Sequence, residues 1–361
     1  MPRSPSRCSA PLAPTAIASA SACSAAASSL ARAVMLTALV SLSLCTSGCY
    51  LAHLARGQMR LLCARVPVEE VLRDSDTPPE LRAQLGRVGE VRTFAELGGR
   101  YTEYAPWPGD FVVTTVVATR PGEVEPVTSW FPIVGSVPYR GYFDAESAHA
   151  YAEKLRRRDL DVCEQKVRAY STLGWFDDPL TGPMLREEED TLVETLFHEL
   201  LHATVFVPGD PEFNEGVAAF FGQEARVRFY AEVDGAAAGE RERRIVSEHR
   251  RLRAEILALR RAVENLYASD PPGPARAAPS RPSEATAVEL TGYDAAALAA
   301  ELPLGDACLA ISGTYHADTA GLVGVLHALG GDLSAFLARV KEAAEADDPR
   351  AALLGEPVPE R

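Results

Sequence analysis

Apolar positions in this chain change period from one stretch to the next, and the changes mark out its elements. Leu192, Val193, Leu196, Phe197, Leu200 and Leu201 recur at spacings of three and four, one stripe of an amphipathic helix. Val207-Pro208-Gly209 then supplies a turn, and Asp210-Pro211 opens a second helix as its cap and first turn. So short a turn predicts that the two helices fold back antiparallel. From Leu51 to about Leu97 the period is again helical, in two stripes broken at Pro78-Pro79: Leu51, Leu54, Leu61 and Leu62, then Val66, Val71, Leu72, Leu81 and Leu85. Phe111–Ala118 is rich in β-branched residues and runs into Arg120-Pro121-Gly122, which predicts a strand hairpinned to Thr128–Val134. Val137–Phe143 continues in extended form. Asp144 caps a helix to about Arg158 with Ala148, Tyr151, Ala152 and Leu155 inward, and Leu160–Tyr170 reads as another strand.

Past the second helix, Gly239–Ser269 is highly charged, with Ile245, Leu252, Ile256, Leu259 and Val263 recurring as one apolar edge. This predicts a long amphipathic helix packed along the helix pair. Asp270–Ala287 is a Pro/Ala/Ser-rich insertion without a core-forming pattern. Short helices are expected at Asp294–Glu301 and about Asp318–Leu329. Gly330-Gly331 stops the second of these and Asp332 caps a last helix, Leu333–Glu345, before a frayed tail. The whole predicts an α+β fold, mostly helical, with a small mixed β-sheet before the 192–201 helix and a helical C-terminal part.

The first of the paired helices carries chemistry. His198-Glu199-Leu200-Leu201-His202 places two imidazoles four residues apart, about one turn, so both project from one side and can grip one metal ion. Glu199 points roughly 100° away round the helix, where it reaches a water on the metal without ligating. Neutral imidazoles suit zinc, and the pattern points to the active helix of a metallopeptidase. Glu215, in the first turns of the second helix, falls where a third, carboxylate ligand is needed. Alone it would read as a first-turn acid favoured by the helix dipole; beside His198 and His202, ligation is the stronger reading. Two His, one Glu and a water make a catalytic zinc, since a structural site is closed by a fourth protein ligand. One Zn2+ per chain is expected. Glu187-Glu188-Glu189-Asp190 reads as acids welcomed at the positive end of the active helix.

Longer motifs carry a resemblance: Ser136–Phe143, Ala169–Pro179, Phe197–His202, Val207–Asp210 and Phe213-Asn214-Glu215, in that order. From Gly48 to about Phe229 the chain resembles the bacterial putative aminopeptidase family, lipoproteins of the gluzincin His-Glu-x-x-His kind. The resemblance implies a zincin-like fold and zinc-dependent peptide hydrolysis, with "aminopeptidase" the family's working name. It also implies that Asn214 supports the ligands from outside, and that Tyr139, Tyr170, Ser171 and Trp175 face the substrate. Tyr170–Trp175 is then either an edge strand that pairs with extended substrate or a strand-to-loop corner packed under Trp175. Tyr139, Tyr142, Tyr170 and Tyr315 are candidate donors to the oxyanion; Tyr315 lies in the helical C-terminal part, where gluzincins commonly place such a residue. One departure stands out. Some gluzincins steady a ligand histidine with an Asp four residues after the ligand Glu, and this chain has Ala219 there. An endopeptidase, or a zinc-bound envelope scaffold or chaperone without turnover, stays open. Glu194 or Glu224 could hold a substrate's free amine.

Charge and leader narrow the setting. A net charge of −14 with no compensating basic run argues against a nucleic-acid partner. Met1–Ala31 is Ser/Ala/Pro-rich, and Arg32 precedes the apolar run Ala33–Leu44, which has the length of a signal-peptide core and is too short to span a bilayer. Thr46-Ser47-Gly48-Cys49 resembles a lipobox, with Thr46 where Leu is usual; an ordinary signal peptide cut nearby or a retained anchor are the other readings. Lipidated Cys49 would tether the chain on the periplasmic side of an envelope membrane, the outer one favoured because Tyr50 and not Asp is the next residue. The organisation expected is thus a leader at 1–48 and one metallopeptidase domain at 49–361, its parts at 49–182, 183–235 and 236–361. Without the leader the charge would be −17. Cys63, Cys163 and Cys308 then remain, enough for one disulfide, and nothing in their spacing selects a pair.

Overall fold

A computed structural model of the chain describes residues 50–95, 101–131, 135–169, 178–269, 305–312 and 319–355. The leader, Cys49, Tyr170, Ser171, Trp175, the 270–287 insertion, the 294–301 helix and Tyr315 lie outside the described residues. The chain divides into Met1–Arg56 and Gly57–Arg361. Residues 50–56 are helical. The elements from Gly57 onward belong to the second unit.

After helix α1, whose residues 57–63 lie in this unit, come β1 (Val66–Pro67), α2 (Val68–Arg73), α3 (Pro79–Phe94) and β2 (Glu103–Ala105). The expected helical stretch is therefore interrupted at Val66–Pro67. Pro67 has no N–H to continue a helix, and the segment instead pairs antiparallel with Glu103-Tyr104. β2 also pairs in parallel with β8 (Leu180–Thr181), so these three short strands are the mixed sheet.

The larger sheet is antiparallel, with β3 (Val113–Thr119) between β6 (Arg140–Tyr142) and β7 (Asp161–Val167). Here the hairpin expectation is corrected. The segment 129–131 (β4, Ser129–Phe131) folds back on β5 (Gly135–Val137), and among the described residues this part of the chain meets β3 through a bridge between Thr119 and Pro126. β7 pairs with β3 along its whole length, from Val113 with Val167 to Thr119 with Asp161, and so satisfies more of its buried backbone than a short return strand could. Helix α4 (Ala145–Arg156) packs on this sheet. Asp144 caps it by accepting from Ser147 N at 2.7 Å, and Ala148, Ala152 and Leu155 are buried as its spacing predicts.

A 3-10 turn (Met184–Arg186) leads to the helices α5 (Glu189–His202), α6 (Pro211–Val233) and α7 (Ala236–Ser269). Beyond them lie α8 (Asp306–Ser312), α9 (Thr319–Ala328), α10 (Leu333–Ala343) and α11 (Pro349–Leu354). The periodicity does not predict α8, and α11 stands in place of the frayed tail. Asp348 caps α11 by accepting from Ala351 N, and its Leu353 is buried beside Phe336 and Val340. α6 is the central helix, buried on most of its circumference from Phe213 to Tyr230. On one side the pair α5–α6 buries Leu192, Leu196, Phe197 and Phe229 against Leu85, Val88 and Val91 of α3. On the other, Leu201, Phe213, Val217 and Phe220 meet Leu322, Leu326, Phe336 and Val340. Both layers hold the α5–α6 contact from outside.

Cys163 of β7 and Cys308 of α8 form a disulfide across 145 residues, which leaves Cys63 free and exposed. Asp161 adds a hydrogen bond from Ala307 N at 2.8 Å, and Val117, Ala307 and Ile311 close around the sulfurs. A helix as short as α8 is marginal by itself, so these bonds set its place. Replacing both cysteines with serine is expected to lower unfolding free energy by about 3–5 kcal/mol, the range for a crosslink closing so long a loop. Urea unfolding of the oxidised protein against the variant checks this, and equal midpoints would refute it.

Candidate metal centre

The loop between α5 and α6 is built to set one angle. Gly209 takes a φ of 83°, the left-handed region that favours glycine. Asp210 caps α6 by accepting from Phe213 N at 2.9 Å, with Pro211 in the first turn. Asn214 reaches back to Val207: its Nδ2 donates to the carbonyl at 2.7 Å, and its Oδ1 accepts from the amide at 2.8 Å. Both polar groups of a 5 % exposed side chain are thus satisfied by one residue of the loop. Asn214 thereby fixes the turn that precedes Glu215.

The next residue, Glu215, turns toward α5. Its Oε2 lies 3.3 Å from His198 Nε2, and its Oε1 lies 3.4 Å from His202 Nε2. The two Nε2 atoms are 3.0 Å apart. Ligand atoms bound tetrahedrally at 2.0–2.1 Å sit about 3.4 Å from one another, so the triangle has the size a zinc-like ion requires. Among the described residues this is the one cluster of three such groups close enough to share an ion. The donor set of two imidazoles and a carboxylate fits.

Electrostatics agree with the geometry. Burial alone would raise the Glu215 carboxyl, but hydrogen bonds from His198 and His202 and their charge hold it down at about 2. For His198, burial works to lower the pKa and is outweighed by the Glu215 hydrogen bond and by the charges of Glu199, Glu215 and Glu194, so the imidazole is raised. A lowered carboxyl and a raised imidazole thus stand face to face. A cation placed there would substitute for the proton. On the His198–His202 turn, two buried atoms are left without hydrogen-bond partners: His202 Nδ1 and Glu199 Oε2. The first accords with Ala219, which offers no acceptor. The second is a buried carboxylate oxygen, one residue after His198, with no donor facing it.

The structure also places the other expected residues. Tyr139 is exposed between β5 and β6. Tyr142 is buried, its ring 5.6 Å from that of Tyr151. Glu194 and Glu224 are each ion-paired with an arginine. Arg226 Nη1 holds Glu194 at 3.0 Å, and Arg250 Nη1 holds Glu224 at 2.9 Å. Gly222 is a residue that sequence reasoning misses. A Cβ on it would lie 2.9 Å from Glu194 O and 3.3 Å from His198 N, so its bare Cα lets α6 touch α5 at the ligand turn. The available signal is a glycine in mid-helix seven residues after Glu215, a position where glycine costs about 1 kcal/mol against alanine.

No curated protein and no solved structure matches the chain. A protein-family comparison does match, over residues 49–354, which takes in every described element from β1 to α11. On that match the chain belongs to the putative aminopeptidase family.

Proposed function

We propose that the protein is a zinc-dependent peptidase of the cell envelope that cleaves from the amino end of peptides. The observation that carries the reading is the triangle of His198, His202 and Glu215, with separations of 3.0, 3.3 and 3.4 Å. Three protein donors leave a fourth position for water, as in catalytic zinc sites. Bound there, zinc would polarise a scissile carbonyl and draw the pKa of a water towards 7. Glu199, with its unpartnered oxygen, would accept a proton from the attacking water and return it to the leaving amine. Tyr315 is assigned the oxyanion. Tyr139, Tyr170, Ser171 and Trp175 are assigned to the cleft.

The Cys163–Cys308 bond favours an oxidising compartment. With the leader pattern, this supports a lipoprotein anchored at Cys49, facing the periplasm and more in keeping with the outer than the inner membrane. A second reading, endopeptidase, draws on the pairing of Glu194 and Glu224 with arginines, which compete with a substrate amine for these two acids.

Hydrolysis of a peptide set with free or acetylated amino ends tests the reading. Release of the first residue from free peptides, with acetylated ones spared, is the expected outcome. Internal cleavage of acetylated peptides would favour the endopeptidase. A zinc-loaded protein that cleaves neither would leave a scaffold.

A further inference from the structure

Beyond the ligands, the seam between α5 and α6 continues to a buried ion cluster. Arg226 is 1 % exposed and meets three carboxylates from two other helices. Its Nη1 donates to Glu194 at 3.0 Å, its Nη2 to Asp190 at 2.6 Å, and its Nε to Glu242 of α7 at 2.9 Å. Asp190, Glu194, His198 and His202 succeed one another at spacings of four, so they form a single stripe along α5. Facing it on α6 are Glu215, Gly222 and Arg226, at spacings of seven and four. Ligand, bare contact and clamp therefore stand in a row, and the clamp grips Glu194 one turn before His198.

Such a cluster is a poor way to stabilise a fold. Apolar residues of the same volume serve as well or better, and the best-attested use of a buried ionic group is to fix register. We propose that Arg226 is a positioning residue for the metal centre. Its guanidinium fixes how far α5 slides along α6, and so how His198 and His202 meet Glu215. A lysine keeps the charge but cannot fork to three carboxylates. The inference rests on the zinc reading above and goes beyond it, since no ligand is touched.

The test compares the full chain with Arg226→Lys and with Val117→Ala, a cavity control in the sheet cluster, where Val117 is 0 % exposed. Zinc affinity by chelator competition, the visible spectrum of the cobalt-loaded protein and the melting temperature of the metal-free protein are read for each. Arg226→Lys is expected to weaken zinc about tenfold to a hundredfold, the scale for residues that orient ligands, and to change the cobalt spectrum. Val117→Ala is expected to melt lower yet keep both metal readouts. Should Arg226→Lys not fold, Glu194→Gln, which keeps shape and an acceptor, is expected to weaken zinc in the same direction. Wild-type affinity and spectrum in the Arg226 or Glu194 variant, or equal weakening in the sheet control, would overturn the positioning role. Failure of the wild-type chain to bind zinc would overturn the zinc reading itself, a separate result.

Discussion

Replacing Glu199 with Gln is expected to cut peptide hydrolysis at least about a hundredfold while the protein keeps its zinc, the scale for losing a general acid–base group. The separation of the two effects is the point. Glu199 lies on α5 between the ligands but is not one of the three groups that converge. Its Oε2 is buried and has no partner, so the amide change leaves the ligand triangle in place and removes only the proton acceptor. Steady-state hydrolysis and metal content, measured on the same sample, check it. Full activity in the variant would refute the role, and loss of zinc would move Glu199 among the residues that hold the ion.

Replacing Glu215 with Ala is expected to do what the Glu199 change does not. It deletes one of three donors and leaves two imidazole nitrogens 3.0 Å apart with no anion between them. The ring of His198 loses the hydrogen bond that works most strongly to raise its pKa. Zinc affinity should fall by more than the roughly tenfold to hundredfold seen when an outer partner is lost, and hydrolysis should fall with it. Calorimetric titration with zinc decides this. Affinity equal to wild type would mean that the ion sits elsewhere.

Much of the centre is legible in the chain because its parts are local. Two histidines four apart on an amphipathic helix need no distant partner to share a face, and Asp210-Pro211 sets the start of the next helix by itself. The caps at Asp144 and Asp332 are readable for the same reason. What escapes is non-local. The turn at Arg120-Pro121-Gly122 suggests the nearest partner for β3, whereas its long pairing is with β7, in register from Val113 with Val167 to Thr119 with Asp161. α8 depends on a disulfide to that same strand. Glu187 to Asp190 read as a dipole-favoured acidic cluster, and nothing local reveals that Asp190 and Glu194 share a buried arginine thirty-odd residues on. Gly222 looks like any glycine until α5 is seen against it.

Zinc K-edge X-ray absorption on the reconstituted full-length chain reads the ligand set itself. One zinc per chain is expected, with two imidazole nitrogens and light oxygen neighbours at about 2.0–2.2 Å, and with the loss of an oxygen neighbour in the Glu215→Ala variant. A sulfur shell near 2.3 Å, or a chain that retains no zinc, would contradict it.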